Sequence, residues 1–311
     1  MTEWHNLRRS VARVKKKHYL CHVNRAGGVA KLLSRDRLHT LWNENTKVAE
    51  NYVFMTLLQV LNMCFYLFIY PFLIRRLGAE GYGTYAYAWS MTAIVMAVVN
   101  FGFDLPNAKK VAEIVGTNTR GNKVLSEAQK TAIGDVLSCV QTAKTGVELV
   151  VLVVYAVLLH CVPMMRDNSL MFSVAFIQTL TCILFPQWYF QGVQRMRVVT
   201  IVQVVVKICS LPFIFALVKT PADVWIFMLI SSLTSVTGGA IAWVIIRCKD
   251  KIIIRFVRPM QCKSYYQEAV PFFLTNVMGI VKEQGIVLLV GGFLGMENVA
   301  VYDLANKIVT V

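Results

Sequence analysis

The sequence predicts an all-α integral membrane protein, a polytopic bundle of helices. Three observations carry that expectation. Hydrophobic residues make up 56% of the 311-residue chain and charged residues only 16%, whereas roughly a quarter of a soluble domain is charged. Mean hydropathy is +0.55. Apolar runs of about 20 residues, the length a helix needs to cross the hydrocarbon core, recur along the chain. The same composition excludes a disordered chain, which lacks this much apolar surface. The 8 cysteines are too dilute for a secreted disulfide scaffold.

The expected spans, in order, are 52–74, 82–103, 147–165, 169–190, 198–218, 222–246 and 270–294, with an eighth starting near Val299 and cut off at Val311. Residues 1–50 are expected to form a basic cytoplasmic tail, and 51–248 a first transmembrane lobe of six helices. Residues 249–311 are expected to hold a cytoplasmic linker, helix seven and part of helix eight. The tail has no early apolar region or small-residue cleavage site, so the first span is expected to act as an uncleaved anchor. The longest inter-span segment, 104–146, is polar. Ser126 is placed to cap a helix there, with Glu127 early and Lys144 late, which suggests a cytoplasmic helical hairpin lying along the membrane.

The net charge of +15 would suit a nucleic-acid binder, but its distribution argues otherwise. Of the 32 Lys and Arg, 25 lie in the tail and in alternate loops, including Lys109, Lys110, Arg195, Arg197, Arg247 and Lys251. The other loops hold four: Arg75, Arg76, Arg166 and Lys219. Positive residues stay cytoplasmic during insertion, so the excess reads as topology and faces anionic headgroups. No nucleic-acid partner is expected.

No P-loop, GxSxG, HExxH or CxxC pattern occurs. No catalytic residue, metal site or cofactor is therefore expected. Polar seams inside the spans are the better functional lead, because ionisable groups at membrane depth are costly. In span one, Gln59, Asn62, Tyr66 and Tyr70 fall within an arc of about 80°. In span five, Thr200, Gln203, Lys207 and Ser210 do the same. Span seven aligns Thr275, Asn276, Gly279, Lys282 and Glu283 over about 120°. Span two offers Tyr85, Trp89, Thr92 and Asn100 on one side. Such seams suit either a wet cavity or interhelical hydrogen bonds. Lys207 and Lys282 favour the cavity, since lysines this central cannot snorkel.

Four segments, in order, resemble the polysaccharide repeat-unit (O-antigen) flippases of the MOP superfamily. Span one exits through Pro71 into LGAEGYG, which carries Gly78, Glu80, Tyr82 and Gly83. The segment VVNFGFDLPNAKKVAE follows. FPQWYFQGVQRMRVVTIVQ then holds Pro186, Trp188, Phe190, Gln191 and Gly192. The last is AVPFFLTNVMGIVKEQG. The resemblance covers about residues 50–311, and the basic tail is longer than is usual for the family.

The resemblance implies a six-helix first lobe and the start of a second, the chain ending short of the family's full set of helices. It implies a flippase of the bacterial inner membrane that carries undecaprenyl-diphosphate-linked repeat units by alternating access. Its partners would be lipid-linked oligosaccharide, the phospholipid bilayer, a polysaccharide polymerase and a chain-length regulator. A diphosphate crossing a bilayer needs cations. Lys207 and Lys282 are the expected ligands, with Gln59, Asn62, Asn100, Gln203 and Asn276 for sugar hydroxyls and Glu283 for ion coupling. The alternatives are a multidrug exporter of the same superfamily, which would favour an acidic cavity, a membrane-embedded glycosyltransferase, and an inactive component of an assembly complex.

Topology fusions test the charge reading. A fluorescent-protein fusion after Lys251 is expected to fluoresce, and a phosphatase fusion after Lys219 to be active. The reverse pattern at both sites would overturn the assignment.

Overall fold

The computed structural model describes residues 35–116, 125–255, 257–258 and 262–309. The expectations for the tail before residue 35, including Lys15, Lys16 and Lys17, and for most of GTNTRGN lie outside these residues. The chain divides into two units after Glu50, and the helical bundle is the unit that begins at Asn51.

The described residues are almost entirely helical, with no strand among them. Lipid offers no partner to a backbone amide, so a spanning segment must satisfy its own hydrogen bonds. The helices are α1 (Arg35–Asn100), α2 (Asp104–Gly116), α3 (Glu127–Cys161), α4 (Pro163–Asp167), α5 (Ser169–Ile177), α6 (Leu180–Leu184) and α7 (Gln187–Gly192). They continue with α8 (Met196–Leu217), α9 (Val224–Val244), α10 (Lys263–Leu294) and α11 (Met296–Val309). Six helical stretches among the described residues are long and apolar enough to cross a membrane. The first, Glu50–Asn100, is 51 residues long and breaks at Gly78 (φ 74°, ψ 174°). This backbone region is open to glycine and strained for other residues. The break separates expected spans one and two, so seven expected spans fall on six stretches.

Two segments depart from expectation. Helix α3 is 35 residues long, about 52 Å. It runs unbroken from the polar segment into span three, so the helix expected in that segment is continuous with the span. Its start matches the expected cap: Ser126 Oγ accepts from Gln129 N and Gln129 Oε1 accepts from Ser126 N, a reciprocal pair. It stays helical because Ile133, Val136, Leu137, Val140 and Ala143 are all buried, at the spacing of one helical face. Span four, by contrast, is three short helices. Around Gln178 and Thr179 the backbone tightens to hydrogen bonds three residues back, and a second break falls at Phe185–Pro186.

Among the described residues two large apolar cores form, beside a small cluster of Ala86, Val287 and Val299. One gathers Phe103, Val111, Ile133, Leu137, Trp188, Tyr189, Phe190 and Ile246. The other gathers Ile69, Leu73, Leu77, Tyr82, Tyr85, Tyr155, Phe172 and Phe227. The family-like motifs supply their contact points. Gly192 packs where any Cβ would overlap Val111, and Gly83 where it would overlap the Met296 carbonyl. Asp250 takes a hydrogen bond from Tyr189 at 2.8 Å and an ion pair from Arg195. The segment after α9 lies extended along α3: Arg255 N donates to Ser138 Oγ and Val257 N to Thr142 Oγ.

The α1–α2 turn is held tightly. Phe101 stacks on Phe273 with ring centroids 4.5 Å apart. Gly102 (φ 68°) faces the backbone of Phe272 and Phe273 so closely that a Cβ would lie 2.8 Å from Phe272 C. Gly102→Ala is therefore expected to destabilise by about 1–3 kcal/mol, the usual cost of overpacking plus strain. A lower unfolding midpoint in detergent would show it; an unchanged midpoint would contradict it.

Candidate functional site

Between the two cores lies a cavity of about 300 Å³. Spans two, four, five and six build its wall, with Tyr66 from span one. Its polar lining is Asn100, Asp104, Gln178, Thr181, Gln187, Gln203, Lys207, Thr234 and Ser235.

Three sequence-predicted residues line it: Asn100, Gln203 and Lys207. A fourth, Asn62, accepts from Lys207 Nζ at 2.6 Å. The ammonium also lies 4.9 Å from the Tyr66 ring centroid and 5.4 Å from that of Phe65, within cation–π range. No carboxylate among the described residues pairs with Lys207.

The other predicted residues lie elsewhere. Gln59, Asn276, Lys282 and Glu283 are exposed and do not line the cavity. The motif residues are structural in placement. Trp188 is in a core, Gly83 and Gly192 are contact points, Pro71 is inside a helix, and Gly78 starts the break before exposed Glu80. Gln191 is half-buried.

By sequence, Lys144 closes the polar helix between spans two and three and carries no role. The structure places it inside the bundle with a side chain 2% exposed. Its Nζ donates to Asn100 Oδ1 at 2.6 Å, Asp104 Oδ1 at 2.9 Å and the Cys182 carbonyl at 3.2 Å. All three of those residues line the cavity. The Cys182 carbonyl is available for a specific reason. Its helical donor would be the amide four residues on, and that residue is Pro186, which has no N–H. The neighbouring Ile183 carbonyl accepts from Gln141 Nε2 at 2.9 Å. Two side chains three residues apart on α3 thus satisfy the carbonyls that the proline break leaves.

Asp104, Gln178, Thr181 and Gln187 also escape the sequence reasoning. Gln178 Nε2 donates to Ser235 Oγ at 2.9 Å, while Gln178 Oε1 and Thr181 Oγ1 have no hydrogen-bond partner among the described residues. The available signal was weak: polar residues in an otherwise apolar span four. Lys144 and Asp104 cancel, so the cavity's formal balance is the positive charge of Lys207. Such a site suits an anion with hydroxyl-bearing groups around it.

Fold and site together define a polytopic helical membrane protein with a polar, net-positive cavity among its spans. The chain belongs to the polysaccharide biosynthesis protein family, whose model matches residues 48–311. It is 24% identical over 263 residues to a Shigella dysenteriae protein named "Putative O-antigen transporter", covering 83% of this chain and 62% of that one. A protein of the same name from Escherichia coli K12 is 21% identical over 259 residues, covering 83% and 59%. The chain thus spans about three fifths of the length of these relatives. No solved structure matches it.

The Lys144–Asp104 pair is asymmetric, since the Asp104 side chain is 45% exposed. Removing the carboxylate strands a buried ammonium, whereas removing the ammonium leaves a carboxylate that water can reach. Asp104→Ala is expected to lower the unfolding midpoint more than Lys144→Met. The gap corresponds to about 1–3 kcal/mol, the cost of an unsatisfied buried group. The opposite order in thermal unfolding would contradict the pairing.

Proposed function

We propose that this chain belongs to a transporter, not an enzyme, that moves lipid-linked oligosaccharide repeat units across the bacterial inner membrane. The lipid carrier is undecaprenyl diphosphate, the direction is from the cytoplasmic to the periplasmic leaflet, and the N-terminus is cytoplasmic. The cycle is alternating access, one group of helices rocking against another. A polysaccharide polymerase and a chain-length regulator are its partners.

The observation that carries this reading is Lys207, a lysine in the middle of α8 that faces a polar cavity with no carboxylate among the described residues to neutralise it. An unpaired cation at membrane depth is costly, and a diphosphate is the ligand that offsets the cost. Gln178, Thr181 and Gln203 on the same wall suit sugar hydroxyls. A cationic drug would meet repulsion from Lys207, which disfavours the exporter. The family membership and the names of the two relatives support the substrate class. Lys282, Asn276, Glu283 and Gln59 join the pathway only if movement brings α10 and span one to the cavity.

The test is complementation of a bacterium that lacks its own repeat-unit flippase, with the chain expressed in its full reading frame and a matched glycan supplied. Surface glycan is expected to return. Lys207→Ala is expected to reduce it about tenfold or more at equal membrane levels, the effect of losing one hydrogen bond to a charged group, while Lys207→Arg retains it. No display by properly inserted wild-type protein would overturn the flippase reading. Full display by Lys207→Ala would remove the lysine from it.

A further inference from the structure

One turn beyond Lys144 on α3 lies Glu148, 5% exposed and outside the cavity lining. Glu148 Oε1 is 2.5 Å from Thr179 Oγ1, and Glu148 Oε2 has no hydrogen-bond partner among the described residues. Thr179 Oγ1 is also 2.6 Å from the Phe176 carbonyl oxygen. Proton counting makes this arrangement informative. A threonine hydroxyl has one proton to donate, and a carbonyl oxygen has none. If Glu148 were ionised, two acceptors would compete for that single proton, one of them a buried carboxylate with a second bare oxygen. If Glu148 is protonated, every group on the line is satisfied. Glu148 then donates to Thr179 Oγ1, which donates to the Phe176 carbonyl. The carboxylic acid's other oxygen is a neutral acceptor, far less costly to leave bare than a charge.

The charged and titratable neighbours agree. Lys144 is on the same face of α3, at a spacing of four residues that brings side chains together. Its ammonium nevertheless binds Asp104, Asn100 and the Cys182 carbonyl, not Glu148. From span four the facing group is Cys182, and Asp104, in the first turn of α2, binds Lys144. Farther along α3, Tyr155 donates to the Phe172 carbonyl. None of these places a positive charge on Glu148.

We propose that Glu148 is a proton-binding site in the wall of the bundle, occupied at neutral pH, and that release of its proton redirects Lys144 from Asp104 to Glu148. The proton leaves Glu148 Oε1 for water. The carboxylate that remains is a turn away from the Lys144 ammonium, and Thr179 must turn its hydroxyl from Phe176 to serve it. Both consequences fall on the broken fourth span: Thr179 sits at its first break, and Cys182, which Lys144 holds, lies just before its second. Asp104, freed of its partner, then adds negative charge to the cavity. The proton on Glu148 thus sets the charge that an anionic cargo meets. This last consequence rests on the proposed transport function, but the proton site itself does not.

The test separates the two. Infrared difference spectra of purified wild type against Glu148→Gln, at neutral pH, are expected to show the carbonyl stretch of a neutral carboxylic acid in wild type alone. A carboxylate difference band instead would overturn the proposal. Glu148→Gln keeps the shape and can still donate to Thr179, so it is expected to fold; Glu148→Asp serves as the comparison if it does not. The lysine exchange has its own readout. Asp104→Asn is expected to lower the unfolding midpoint at neutral pH and to lower it much less at alkaline pH, where Glu148 has taken Lys144. In a Glu148→Gln background the loss is expected to be equal at both. Equal losses in the wild-type background would overturn the exchange. No surface display by the wild-type protein, with both physical readouts intact, would count against the flippase reading and not against the proton site.

Discussion

The structure depends on one constraint: a polar group in a bundle within lipid must find its partner in the protein. The proline break in span four shows how one sequence feature forces several others. Pro186 cannot donate to the Cys182 carbonyl, and the shifted backbone leaves the Ile183 carbonyl free as well. Lys144 and Gln141 of α3 satisfy them. Lys144, once buried, needs a counter-charge, and Asp104 supplies it from the first turn of α2. Asp104 is correctly placed because Phe101 and Gly102 turn the chain sharply after span two. The break, the lysine, the aspartate and the glycine turn therefore form a single solution, and the cavity is the space that it holds open between two apolar cores.

The fold was largely legible because hydropathy and charge distribution are properties of segments. A run of about 20 apolar residues reads as a span whatever its neighbours. The lysine at the centre of α8 was legible for the same reason, since a charge deep in such a run has no bland explanation by snorkelling. Lys144 was not legible. It sits at the end of a stretch that reads as a polar helix outside the spans, and it is buried because its partners come from afar: Asn100 is 44 residues away and Asp104 40. The helical seams had a related weakness. Angles around a helix tell which residues share a side, and they leave open which side meets a neighbour. Gln203 and Lys207 of the span-five seam line the cavity, whereas Asn276, Lys282 and Glu283 of α10 are exposed and do not. The motif resemblance located Pro186 and Gly102, but only the packing explains them, one as a missing donor and the other as a close approach.

The seam between span two and α10 carries a mechanical consequence. The two helices run antiparallel and touch at three points: Phe101 against Phe273, Ser90 donating to Gln284 at 2.8 Å, and Gly291 packed so that a Cβ would lie 2.4 Å from the Tyr87 ring. These points span 15 residues of span two, about 22 Å. Contacts at several points along a helix resist tilting on its neighbour, and hinge bending between span two and α10 would break contacts at Gly102 and Gly291, where a Cβ would overlap the facing helix. A motion that parts α10 from span two would have to unzip this seam from one end. The Tyr82–Asp303–Lys307 cluster at the Gly83 end, with its 2.6 Å contacts to the Asp303 carboxylate, makes that end the firmer clamp, so unzipping would start at Phe101.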